Sequence, residues 1–220
     1  MTKRLVIFDM DGTLVDSGFS IATAVNAMLD ELGRAPLAFS EVRSMIGDGT
    51  AQLAERALAA RPGAHVPPGK ALEILMRHYD DALVKTKIYP SVYETLERLK
   101  VAGVSLAIST NKPMAPLHKI LTTLGLGSYF EHLMAGDSAP WRKPDPRMIS
   151  TLLSAFDVSA CEAIMVGDSE VDAATAAAAK VDFALMTYGY HRGPVEAIPA
   201  RFRLDCMSGL PDHVLAQLDC

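Results

Sequence analysis

The stretch from Leu5 to Ser17, LVIFDMDGTLVDS, constrains the fold more than any other part of the chain. Its run of β-branched and aromatic residues reads as a buried strand. The run breaks off at two carboxylates one residue apart, Asp9 and Asp11, followed by Gly12 and Thr13. If the strand continued, both carboxylates would point the same way, and their charges would repel unless a metal lay between them or one held a proton. A surface turn is the alternative, because Asp-Gly is ordinary turn chemistry. The two readings differ in what must follow: a reactive pair needs partner residues at the ends of later strands.

Beyond Ser17 the pattern turns helical. Ile21, Ala24, Val25, Met28, Leu29 and Leu32 recur at three- and four-residue spacing until Gly33 stops the run. Ser40 is expected to open a short helix as its N-cap, and Thr50 to cap one running to Ala60. After the Pro- and Gly-rich stretch from Pro62 to Gly69, a helix of about 17 residues reaches the neighbourhood of Lys85. Nothing between Gly18 and Lys85 reads as a strand.

From Ile88 onward strands and helices alternate. Strands are expected over 104–108, 130–135, 163–166 and 183–187, with helices following Ser91 and over 113–124, 146–156 and 171–179. The segment 188–199 reads as irregular, and 208–218 as a last amphipathic helix. Such alternation predicts a parallel sheet with right-handed crossovers, hence a doubly wound α/β fold with an inserted all-helical cap. The expected division is a core domain of residues 1–15 and 88–220 and a cap domain of residues 16–87. Ligands of such sheets bind beyond the carboxyl ends of the strands.

Composition narrows the partners. The chain has 220 residues, half of them hydrophobic, and a net charge of −5, so it can bury a sizeable core but has no basic field for a nucleic-acid backbone. No apolar run approaches the length of a membrane span or a signal-peptide core, so a soluble, cytoplasmic protein is expected. Cys161, Cys206 and Cys220 are scattered without metal-ligand spacing and suit a reducing compartment, with Cys161 a small packing residue. The six histidines form no HxH or HxxxH pair. The sequence carries no signal for an oligomeric state.

The required partners are present. The strand at 104–108 runs into Ser109-Thr110-Asn111-Lys112-Pro113, where a hydroxyl and the free N–H groups of a helix start suit an anionic oxygen, or serve as an ordinary N-cap. The strand at 130–135 is followed by Trp141-Arg142-Lys143-Pro144-Asp145-Pro146, whose prolines stiffen the approach of Lys143, and Trp141 is expected to cover that loop. The strand at 163–166 ends in Gly167-Asp168-Ser169-Glu170-Val171-Asp172. Acidic residues this far apart in sequence, each at the mouth of a strand, are hard to explain structurally.

These four stretches resemble the DxDGT, Thr/Ser, Lys and GDxxxD motifs of the haloacid dehalogenase superfamily of phosphatases. The resemblance covers nearly the whole core and implies roles. Asp9 is the nucleophile and Asp11 the general acid and base, with Thr110 and Lys143 completing the catalytic set. Gly12, Thr110, Asn111, Lys143 and Gly47 meet the phosphate or substrate. Mg²⁺ is the implied cofactor, held by Asp9, Asp168 and the backbone carbonyl of Asp11, with Asp172 standing behind them. The expected partner is a small phosphorylated metabolite. Asp11 separates the chain from dehalogenases and phosphonoacetaldehyde hydrolases. The alternatives are phosphoryl transfer like that of β-phosphoglucomutases, or a non-catalytic binding protein on the same fold. The loop Ile46-Gly47-Asp48-Gly49 is similar to the glycine-rich cap loop of phosphoglycolate phosphatases, which makes 2-phosphoglycolate the first expected substrate, with Asp48 a charged departure within it. A second departure is Lys180, where relatives usually carry glycine after the motif-four helix; a left-handed lysine there implies a cost of up to ~1 to 2 kcal/mol.

Overall fold

A computed structural model describes residues 4–216. Strand β1 (Leu5–Phe8) leads into a short strand β2 (Val15–Asp16), and four helices follow: α1 (Gly18–Glu31), α2 (Phe39–Arg43), α3 (Thr50–Ala60) and α4 (Lys70–Ala82). A 3₁₀ turn at Leu83–Lys85 and strand β3 (Lys87–Ile88) bring the chain back. The remainder runs α5 (Val92–Val101), β4 (Ser105–Ser109), α6 (Met114–Thr123), β5 (His132–Met134), α7 (Arg147–Ala155), β6 (Ala163–Gly167), α8 (Glu170–Ala178), β7 (Asp182–Met186), β8 (Phe202–Leu204) and α9 (Leu210–Leu215).

Six strands form one parallel sheet in the order β5-β4-β1-β6-β7-β8. The parallel pairing follows from the crossover helices, and β1 is buried on both faces. Val6 and Phe8 pack with Leu106, Ile164 and Val166 on one side, while Leu5 and Ile7 pack with Ala107, Met165 and Phe183 on the other. From β1 the chain builds outward first through β4 and β5, then returns to the other side through β6, β7 and β8. The order therefore reverses at β1, and the crevice beyond its carboxyl end, between the ends of β4 and β6, is the place where such sheets bind ligands.

Between β2 and β3 only helices and turns occur among the described residues. The two short strands pair antiparallel, Val15 with Ile88 and Asp16 with Lys87, so the helical insertion leaves and rejoins the sheet at one ribbon. Its apolar faces, from Ile21, Val25 and Met28 of α1 to Leu75 of α4, are continuous with the Val6 and Phe8 face of the sheet.

Several expectations need correction. The N-cap of α2 is Ala38, whose N–H donates to Glu41 of the first turn, so Ser40 lies inside the helix. Gly49 rather than Thr50 precedes α3. The β2–β3 ribbon and β8 are too short to leave a readable alternation. Cys161 is exposed, because it sits in a surface turn ahead of β6 rather than in packing. Trp141 is half-buried under the Arg147 guanidinium, 4.2 Å from its ring centroid, and covers its loop as expected. Leu218, the expected end of the last helix, and Cys220 lie outside the described residues. No helix among those residues is long and apolar enough to cross a membrane.

Candidate active site

The site begins where β1 ends. The N–H of Asp9 still donates to Val166 at 2.8 Å, so the sheet holds the Asp9 backbone while its side chain reaches the crevice. Thr110 is held in the same way at the end of β4, its N–H donating to Met134 at 2.8 Å. Parallel pairing thus brings Asp9, Thr110 and Asp168 to one edge from distant parts of the sequence, and all three line a single pocket with Asp11, Asn111 and Gly47.

Asp9, Asp168 and Asp172 are buried and each offers a carboxylate oxygen within 4.8 Å of the others. Lys143 is placed among them, with Nζ 2.6 Å from Asp172 Oδ1 and 2.8 Å from Asp9 Oδ1. The Asp9 contact is an ion pair, and the buried Oδ1 has no other polar partner among the described residues. Asp172, by contrast, is fully engaged. Its Oδ1 accepts from Lys143, and its Oδ2 accepts from the Ser169 hydroxyl at 2.6 Å and from the N–H groups of Asp168 and Ser169. Asp172 therefore aims Lys143 and braces the start of α8.

Asp168 is held from both sides. Thr13 donates its hydroxyl to Oδ1 at 3.1 Å, and the Tyr190 N–H donates to Oδ2 at 2.5 Å. The backbone presses close around it: a Cβ at Gly12 would stand 2.2 Å from Asp168 Oδ2, and one at Gly189 would stand 2.2 Å from its Cβ. Gly12, at φ +84°, spends its N–H on the Val15 carbonyl, so what it brings to the site is clearance. Asn111 donates its side-chain amide to the carbonyls of Gly47 and Lys143 and accepts from the Lys143 N–H, which ties the helical insertion to the Lys143 loop.

Electrostatics follow from this geometry. Three buried carboxyl groups face one ammonium, an excess of two negative charges when all three are ionised. Burial pushes the Asp9 carboxyl up to about 6, against the pull of Lys143 and with the help of Asp172. Burial, then Asp172 and Asp9, hold Asp168 well above the ordinary carboxylate range. Burial works against the Lys143 charge, but Asp172 and Asp9 outweigh it and hold its pKa above the ordinary lysine value. A divalent cation matches the surplus in charge, and the oxygen-only donor set, with Asp9 Oδ1 held by nothing besides Lys143, suits a hard ion.

Asp11 faces a different set of partners. Both its oxygens accept from Lys112 Nζ at 2.9 Å, and Oδ1 accepts from the Ser17 hydroxyl at 2.5 Å. Lys112 was not among the residues expected here, because a lysine after a strand reads as a solvated charge until its burial is known. Tyr79, Tyr190, Thr13 and Ser17 were missed as well. Thr13 and Ser17 do stand in the opening stretch, and their hydroxyls next to two carboxylates were the available signal.

The family model described as haloacid dehalogenase-like hydrolase matches residues 6–186. A phosphoglycolate phosphatase of Cereibacter sphaeroides (strain ATCC 17029 / ATH 2.4.9) is 40% identical over 214 residues, covering 94% of this chain and 95% of that protein. Phosphoglycolate phosphatase 1 of Pseudomonas aeruginosa is 40% identical over 195 residues, 86% of this chain and 71% of that protein. Among solved structures, a predicted phosphoglycolate phosphatase from Haemophilus somnus 129pt superposes with a TM-score of 0.92 at 29% identity, covering 97% of this chain and 98% of that one.

Proposed function

The chain belongs to the haloacid dehalogenase-like hydrolase family, and from that premise we propose that it hydrolyses a small phosphomonoester, 2-phosphoglycolate first, through an aspartyl-phosphate on Asp9. The observation that carries this reading is the Asp9 carboxylate: buried at the switch point of the sheet, with Oδ1 partnered only by a lysine 2.8 Å away that Asp172 aims. A carboxylate kept for structure alone would have its oxygens satisfied.

In the proposed reaction an Asp9 oxygen attacks phosphorus, the bond to the ester oxygen breaks, and Asp11 gives the leaving alkoxide its proton. Water then attacks phosphorus, Asp11 takes a proton from it, and the bond to Asp9 breaks. Lys143 and the Thr110 hydroxyl hold phosphate oxygens, with the Asn111 backbone beside them. Asp9, Asp168 and the Asp11 carbonyl would hold Mg²⁺, with Asp172 behind them. Bound there, the cation offsets the charge of the phosphate and of the carboxylates. Residues 16–87 act as the cap domain over the core formed by 1–15 and 88–220, and Ile21, Ile46 and Leu53 of that block supply an apolar wall that excludes water. The pocket between these residues and the strand ends has about 40 Å³ of space and is partly open to solvent.

The test is phosphate release from 2-phosphoglycolate, sugar phosphates and pyrophosphate side by side, with Mg²⁺ and after chelation. The expected result is Mg²⁺-dependent hydrolysis that is fastest for the two-carbon ester and lost in Asp9→Asn. An isomerised sugar phosphate would replace this reading by phosphoryl transfer, and no turnover of any ester by a binding role.

A further inference from the structure

One buried cation in the pocket takes no part in the steps above. Lys112 lies two residues past Thr110 with its side chain wholly buried, and its Nζ contacts both Asp11 oxygens at 2.9 Å and the Tyr79 hydroxyl at 2.8 Å. Tyr79 comes from α4 of the helical insertion, and its ring centroid is 4.8 Å from the same ammonium. The ammonium has only protons to give, so the Tyr79 oxygen accepts and its own O–H remains to be donated. Among the described residues no acceptor takes it, although Tyr79 is only 2% exposed and lines the pocket. A buried hydroxyl proton without an acceptor is costly, and beside a lysine it marks a place for an anion.

Distance narrows what the anion belongs to. Asp11 must stand one hydrogen bond from the ester oxygen to protonate it, and Lys112 stands one hydrogen bond from Asp11, so Nζ lies within about 6 Å of that oxygen. A carboxylate borne by the ester carbon itself spans that gap, whereas a neutral alkyl group leaves the Tyr79 proton unspent and a hydroxyl accepts it without bringing the charge. The other lining side chains of the insertion, Ile21, Ile46, Thr50 and Leu53, offer no charge that could serve instead.

We propose that Lys112 and Tyr79 form the subsite for a carboxylate on the leaving group, so that the enzyme selects phosphate esters of short 2-hydroxy acids. The inference rests on the phosphatase reading above and deepens it by assigning the residues that choose the substrate. Because Tyr79 is carried by the insertion and Lys112 by the sheet, the carboxylate is read only when the two are together.

The experiment compares 2-phosphoglycolate with ethyl phosphate, an ester of the same chain length without the acid. The ratio of their kcat/KM values cancels any general loss of turnover. Wild type is expected to favour phosphoglycolate by about tenfold or more, the size of a charge-assisted hydrogen bond. In Tyr79→Phe, which removes one hydroxyl and keeps the ring, that ratio falls about fivefold, through KM for phosphoglycolate; Lys112→Met abolishes it and Lys112→Arg restores part. A ratio that stays at the wild-type value in Tyr79→Phe and in folded Lys112→Met overturns the proposal. If wild type hydrolyses neither ester, the phosphatase reading falls, and calorimetric binding of the same two esters decides this one. A wild-type preference lost in Tyr79→Phe sustains it, and equal wild-type affinities overturn it.

Discussion

Arg192 grips Asp48 across the seam between the helical insertion and the sheet. Arg192 lies in the loop after β7, and besides that ion pair it donates to the carbonyls of Ser44 at 3.1 Å and Ile46 at 3.0 Å. Arg56 completes the clasp on Asp48 at 2.5 Å. The charge inside the glycine-rich loop is thereby accounted for: Asp48 pairs with two arginines rather than facing the substrate. The same loop supplies the Tyr190 N–H to Asp168, so one short segment touches both the carboxylate cluster and the insertion.

Loosening this clasp should weaken closure over the substrate. Arg192 is 38% exposed at its side chain, so solvent screening reduces the contribution of its ion pair, and the expected loss is ~1 to 2 kcal/mol. Arg192→Ala should therefore raise KM for a small phosphomonoester roughly tenfold, with a smaller effect on kcat. Steady-state kinetics of the purified variant check this; an unchanged KM removes the clasp from the closure step.

Asp9 couples activity to stability with opposite signs. Its folded pKa, about 6, lies above the unfolded value of 3.8, so the folded protein binds this proton more tightly. Stability from this group is complete below about pH 4 and is lost as pH rises through 6, by up to ~3 kcal/mol. With a chelator present, Asp9→Asn should melt several degrees above wild type at pH 7.5 and close to it at pH 4, while turnover falls at least about a thousandfold. Melting curves at the two pH values provide the check, and a pH-independent difference would contradict the assigned burial effect.

Lys143 has the reverse character. Removing it leaves Asp9 and Asp172 buried without their cation, and breaking such a pair costs about 3 to 5 kcal/mol. Lys143→Met should lower the melting temperature by roughly 10 °C. Adding Asp172→Asn should recover part of that loss, because the second change relieves the stranded charge. Denaturation of the two single variants and the double variant measures the coupling, and strict additivity would show that the two residues do not act as a pair.

Lys180 keeps the left-handed turn that its residue type disfavours. Its φ is +58°, its N–H donates to Ala177, and the Val181 N–H donates to Ala176 at 2.9 Å, a hydrogen-bond pair that closes α8 and requires this conformation. The side chain therefore bears a backbone cost that glycine would not. Lys180→Gly should stabilise the protein by about 0.5 to 1 kcal/mol, or some 2 °C in melting temperature, without change in kcat/KM. Destabilisation instead would mean that the lysine makes contacts worth more than the strain.

How much of this was legible before folding depends on the kind of signal. Asp9 and Asp168 could be placed together because each ends a buried apolar run, and a parallel sheet gathers the ends of such runs at one edge, while Lys143, nine residues beyond β5, was legible only through its motif. The helical insertion could be read from periodicity alone, whereas β2, β3 and β8 could not, since two or three residues do not establish a period.

The sequence by itself determined the sheet, the insertion and the acidic cluster, because local pattern and crossover geometry leave few alternatives for them. Only the tertiary structure decided that Lys112 is buried against Asp11 and Tyr79, that Asp48 turns to Arg56 and Arg192, and that Gly12 gives Asp168 its room. A residue's type records what it can bond to. Its burial and its partner are set by which loops meet across the seam, and that is a property of packing among segments far apart in the chain.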